Sequence, residues 1–426
     1  MKKTWIAVAA VAALAGAAAV IASWPPATRL AADIWHGDGL RETRQEIADP
    51  TASEHWRNSR VDDKGVTVWD PINALRGFTL YTTGEGSVAR LVTMNGALVH
   101  EWRVPFSTVW NKEEAAVKEP QPDGLVFLRH AELLPNGDLV AVYEAAGHVP
   151  DGYGLVRIDK ESKPVWRYLQ RAHGVFDMAP DGRVYVLVQT IREDAGENSV
   201  LEAPFLEDAV AVLSPDGKET ARISLVEALE RSRYASLLGK VPAGRHDPLG
   251  ATSVQYMDDE IVKGVGDGAG ERLLVSLGGL DTVAVLDLAS KQIVWAAQGD
   301  WDGQHEARVA PGGDLLLTEA PDGAEGRVLQ VDMATSTVTW SYGGTKRQPL
   351  YGTSRLSARR LANGNTLITD SGVGRVIEVS EAGTVVWEYT NPTRRGQADA
   401  YIPVIASAQR IDAEALDDSF RGFKRP

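Results

Sequence analysis

Four histidines in this chain sit where they could do chemistry: His130, His173, His246 and His305. A neutral imidazole can act as a nucleophile, a proton carrier or a metal ligand. His130 precedes the turn glycine Gly137 by seven residues, His173 precedes Gly182 by nine, and His305 precedes Gly313 by eight. All three therefore fall near the start of a short strand that ends in a glycine turn. The offsets differ, so strand alternation alone does not bring the three rings to one face. His246 lies in Gly244-Arg245-His246-Asp247-Pro248, ahead of the one comparable strand that carries no histidine. His36, His55 and His100 read as structural or solvated, and nothing in the surroundings of His148 assigns it a role.

Arginines accompany these histidines. Arg129 adjoins His130, Arg171 is two before His173, Arg308 is three after His305, and Arg355 and Arg359 precede the last turn. A guanidinium suits bidentate capture of sulfate or phosphate oxygens. At least half of these arginines are expected to form only rim salt bridges on an acidic surface. No carboxylate recurs beside each histidine, and no His-Glu-x-x-His helix occurs, so no metal site and no cofactor are expected. No glycine-rich phosphate loop opens a helix and no Gly-x-Ser-x-Gly elbow appears, which disfavours a nucleotide-dependent kinase and a serine hydrolase. Direct nucleophilic or acid–base work by imidazole is the chemistry that remains.

The elements that must position these residues form a repeat. From Gly77 onward, short alternating strands are punctuated by Asn-Gly, Asp-Gly and Gly-Gly turns. The unit is clearest at 357–389. There an approach strand, the turn Asn363-Gly364-Asn365, and strands at 366–369, 375–379 and 385–389 follow in sequence. Comparable copies start at Phe78, His130, His173, Gly250 and His305. Six copies of a four-strand unit predict an all-β fold, a six-bladed β-propeller spanning 77–397. Such a ring brings one point of every repeat to a shared axis. Tryptophans 102, 166, 295, 340 and 387 close the repeats and are expected to pack between blades. Residues 191–208 read as a loop out of a blade, 25–76 as a polar stalk or decoration, and 398–426 as a closing segment lying against the first blade.

A chain of 426 residues with 44% apolar composition can bury a core of that size. The formal charge of −14 repels phosphate backbones, so nucleic acid is not an expected partner. The absence of cysteine removes disulfides and thiolate chemistry. Residues 1–24 begin Met1-Lys2-Lys3-Thr4 and continue from Trp5 to Trp24 without a charge. About 20 apolar residues behind lysines predict a transmembrane signal-anchor in the inner membrane, with the body exported to the periplasm. Cleavage after Ala17-Ala18-Ala19 is the alternative, and would leave a soluble periplasmic protein. A homo-oligomer is compatible with this sequence.

Gly77-Phe78-Thr79-Leu80-Tyr81-Thr82, Met94-Asn95-Gly96 with His100-Glu101-Trp102, Gln304-His305-Glu306-Ala307, and Leu361-Ala362-Asn363-Gly364-Asn365-Thr366-Leu367-Ile368 together resemble the bacterial arylsulfotransferases. The resemblance runs from Gly77 to Pro392. It implies an exported six-bladed propeller that moves a sulfuryl group from an aryl sulfate to a phenol without a nucleotide donor. The implied nucleophile is His305, transiently sulfated, and the implied partner is His173. A His-x-Asn pair of the family falls here on Gly250 and Thr252, and a family arginine falls near Gly278. The expected substitutes are His246 for the histidine and Arg308 for the arginine, with His130 and Thr252 completing the substrate-binding set. A non-catalytic relative that binds a ligand or an envelope protein is the second reading. A quinoprotein dehydrogenase is a third and weaker one, because no calcium-binding cluster is evident.

Overall fold

The computed structural model describes residues 42–418 except 61, 197–198, 259–269, 300, 311, 322–324, 347 and 352–354. The fold is all-β and propeller-like, built from antiparallel four-strand meanders. One sheet comprises Val126–Leu133, Leu139–Ala145, Gly152–Ile158 and Pro164–Tyr168. The next is eight-stranded. Two meanders, from Ala172–Met178 to Glu219–Ser224 and from Ala251–Met257 to Gln292–Gln298, are fused by a parallel bridge between Val175 and Ser253. Gln304–Val309 leads a third sheet, and Ser357–Arg360 leads a fourth that gains a fifth strand from Gly65–Trp69. The last sheet joins distant parts of the chain. Ile405–Ile411 pairs antiparallel with Phe78–Thr83, ahead of Val88–Val92 and Leu98–Arg103. The copy read at 78–102 therefore holds only three strands, and the C-terminus supplies the leading one.

The turns follow from local chemistry. Gly137 and Gly364 adopt φ of 87° and 86°, a region that side-chain-bearing residues avoid and Asn-Gly turns require. The strands between turns alternate or run fully apolar, and neighbouring sheets bury these faces against each other.

Four closing-strand tryptophans each bind one unit to another. The indole N–H of Trp102 donates to the carbonyl of Gly137 at 3.2 Å, and that of Trp166 to Pro215 at 3.1 Å. Trp340 donates to Glu381 at 2.9 Å, and Trp387 reaches back to Met94 at 2.9 Å. The last of these joins segments 293 residues apart. Trp387 is fully buried and lies beneath the Arg410 guanidinium, 4.4 Å from the ring centre. Trp387→Ala is expected to cost about 3–5 kcal/mol, seen as a lower urea midpoint.

Two expectations change. Residues 191–208 are not one loop, because Val184–Arg192 and Phe205–Leu213 are long paired strands. Nor do residues 42–58 stand apart as a stalk. Thr43–Arg44 pairs with His148–Val149, and Trp56–Asn58 pairs with Tyr401–Pro403, so the segment lies across the body. A short helix forms at Leu225–Glu230, capped by the Ser224 hydroxyl, which accepts from the Glu227 N–H at 3.1 Å. The apolar segment 1–24 lies outside the described residues. Among the described residues no helix is long and apolar enough to cross a membrane.

Candidate functional site

A cavity of about 1140 Å³ opens where the starts of several leading strands meet. His173 and His305 both line it. Each is the second residue of its strand, Ala172–Met178 and Gln304–Val309. Equivalent positions in equivalent strands bring residues distant in sequence to one place.

The backbone at His305 is held from behind. The hydroxyls of Thr252 and Ser276 both lie against its carbonyl oxygen, Ser276 at 2.9 Å. Gln304 donates through Nε2 to the Ser276 hydroxyl at 2.6 Å. Thr252 thus lines the cavity, but its hydroxyl serves the His305 backbone.

His173 faces carboxylates. Its Nε2 lies 3.2 Å from Oδ1 of Asp208, which is fully buried and whose Oδ2 accepts the Ala251 N–H at 2.9 Å. The contact is ionic and is not an aligned hydrogen bond. Burial, the largest influence, pulls the His173 pKa down, but Asp208, Asp151 and Asp247 together outweigh it and raise it above the ordinary imidazole value. Burial and the nearby Asp208 charge push Asp247 up to about 7. Asp151 reaches about 6, from burial and Glu144.

Arg129 and Arg355 also line the cavity, beside Glu144. The Arg129 Nη1 donates to the Ala406 carbonyl at 2.8 Å, and its Nε lies 3.7 Å from Glu144. Arg355 pairs directly with Glu144 and lies 3.4 Å from the His55 Nε2. Glu54, His55 and Glu144 hold ligand atoms within 4.8 Å of one another, a spacing that could suit a metal ion. A guanidinium already bonded to Glu144 opposes a second cation there. Burial, then the charge of Arg355, holds the His55 pKa well below its ordinary value, so the ring is neutral, stacked on Phe127 at 3.6 Å.

Three predicted site residues lie elsewhere. His130 is the fifth residue of its strand, beyond a register shift after Leu128, and Arg308 is the fifth of its own. Three residues further along a strand is about 10 Å. Neither lines the cavity. They join a separate buried network in which His130 contacts Glu132 at 2.9 Å, Arg308 contacts Glu306 at 2.9 Å, and Arg359 approaches Glu132 at 3.2 Å. Arg308 is therefore not the substitute guanidinium. His246 turns away as well, its Nδ1 against the Pro204 carbonyl at 2.9 Å. The neighbouring Asp247 lines the cavity instead.

The glycines at the expected His and Arg positions are needed by the backbone. A Cβ at Gly278 would lie 2.6 Å from the Gln304 carbonyl oxygen. Gly250 has φ of 50°, and a Cβ there would meet Gly279 N at 3.0 Å. Gly278→Ala is expected to cost about 1–3 kcal/mol and to displace the strand carrying His305. A lower melting temperature together with reduced activity would report it.

Sequence reasoning missed Asp208, Asp247, Asp151 and Glu144. Asp247 adjoined a residue already singled out. The other three sit on strands or turns whose contacts are tertiary.

The fold is a propeller-like array of sheets, and His173 and His305 line one cavity in it. The arylsulfotransferase (ASST) family matches residues 130–392, and the chain belongs to that family. No curated protein matches it. Similar solved structures include a protein of unknown function from Bacteroides caccae, at 12% identity and TM-score 0.48, covering 78% of this chain and 99% of that one. A streptogramin B lyase gives 11% identity and TM-score 0.41, covering 81% and 88%. The WD40 β-propeller domain of Doa1 gives 12% and 0.41, covering 85% and 100%.

Proposed function

We propose that this chain is an exported, membrane-anchored aryl sulfate sulfotransferase, acting in the periplasm through a sulfated His305. Its architecture is read as a six-bladed ring, the eight-stranded sheet counting as two blades. An imidazole nitrogen of His305 attacks sulfur, the S–O bond to the aryl group breaks, and the aryloxide takes a proton from His173. The oxygen of a phenolic acceptor then attacks the same sulfur. The S–N bond breaks, and its electron pair returns to the imidazole. The guanidiniums of Arg129, Arg245 and Arg355, which line the cavity, are the cations available to the sulfuryl oxygens.

One observation carries this reading: His173 and His305 line a single cavity, with a protonatable partner at one and a fixed backbone at the other. Incubation of the exported domain with a chromogenic aryl sulfate and a phenol tests it. Phenol release and a sulfuryl-mass addition at His305 are expected. The glycines at 250 and 278 favour a second reading, a catalytically silent member that binds a ligand or envelope partner, because the family's His and Arg have no room there. Tight donor binding without turnover would select that reading.

A further inference from the structure

Building on the sulfuryl-transfer reading, the geometry points to Asp247 as the catalytic base that takes the proton of the acceptor hydroxyl. The side chain lines the cavity that holds His173 and His305. Its Oδ1 accepts the Gly250 N–H at 2.9 Å, which fixes the carboxylate. Its Oδ2 lies 3.9 Å from where a Cβ at residue 250 would stand. The carboxylate therefore occupies space next to the missing histidine of the family pattern, which His246 does not enter.

The charged and titratable groups facing Asp247 are Asp208 from Phe205–Leu213, His173 from Ala172–Met178, and Arg245 from its own loop. Burial and the Asp208 carboxylate raise its proton affinity, while the Gly250 N–H, His173 and Arg245 oppose them. The outcome is a carboxyl that exchanges a proton near neutral pH, where a general base is most effective.

The two half-reactions then use different groups. His173, its proton held beside Asp208, protonates the departing aryloxide. Asp247 accepts the acceptor's O–H proton while the new O–S bond forms and the S–N bond to His305 breaks. One proton leaves His173 and one arrives at Asp247, and exchange with solvent restores both.

The test is Asp247→Asn, which keeps an oxygen for the Gly250 N–H. The variant should still form sulfo-His305 from a chromogenic aryl sulfate, slowed only as far as His173 loses the charge of Asp247 beside it. Its acceptor-dependent turnover should fall about 10²–10⁴-fold and lose the neutral-pH limb of its profile. Asp247→Glu should recover part of that loss. A second readout needs no turnover. A carboxyl raised by folding from its ordinary 3.8 to about 7 withdraws stability as pH rises between those values, so the wild type should melt progressively lower than D247N from about pH 4 to 7. D247N with wild-type turnover and profile, or a melting difference constant with pH, overturns the assignment while leaving sulfuryl transfer intact. A wild type that forms no sulfo-enzyme and releases no phenol overturns the sulfuryl-transfer reading and this assignment with it.

Discussion

His305→Ala should abolish turnover, with a loss on the order of 10⁴-fold or more, as expected when the nucleophile of a covalent mechanism is removed. Formation of the sulfated intermediate should vanish at the same time. The side chain is half-buried at the cavity wall, and the contacts that set its strand run through its backbone carbonyl to Ser276 and Thr252. Melting curves of the variant separate loss of the nucleophile from loss of the fold. Rapid-quench assays and intact-protein mass measurement with an aryl sulfate decide it. Persistent aryl release from His305→Ala would move the nucleophile elsewhere. His173 would then be the next candidate, since it lines the same space.

His173→Gln should reduce kcat about 10²–10⁴-fold for donors with a basic aryloxide leaving group, and far less for an activated leaving group that departs without a proton. This difference separates proton donation from mere support of the fold. Asp208→Asn should act in the same direction more gently, because the imidazole then loses its nearest opposing charge. It should also move the alkaline limb of the rate profile to lower pH. The sign follows from His173 itself. Its pKa is raised in the folded protein, so the stabilisation it contributes is fully present below the ordinary imidazole pKa. That contribution is lost as pH rises through the raised value. Melting the wild type and His173→Gln across that interval checks the linkage. A difference between them that does not shrink with rising pH would contradict it.

Much of this architecture could be read directly from strand alternation and glycine turns, because both are local. The Asn-Gly turns at 136–137 and 363–364 sit where their chemistry places them. The site was harder to read. His173 and His305 share a strand position, but His130 does not, and the offsets of seven, eight and nine residues gave no parity to follow. Register shifts after Leu128, His173 and Gln304 account for this. A bulge changes which face a side chain takes and leaves little trace in composition. Residues 45–54 also escaped notice as cavity lining, because only the pairing of Trp56–Asn58 with Tyr401–Pro403 and of Thr43–Arg44 with His148–Val149 carries them there.

The union of Ile405–Ile411 with Phe78–Thr83 has a consequence for how this protein is made. The partners lie more than 300 residues apart, as the Thr82–Ser407 hydroxyl contact illustrates with a separation of 325. Contacts this remote are slow to form, since a long stretch of chain must be ordered before they contribute. A nascent chain therefore waits with six buried-type residues, Phe-Thr-Leu-Tyr-Thr-Thr, presenting an open strand edge. Any chain terminated before residue 405 would keep that edge open, prone to self-association and proteolysis.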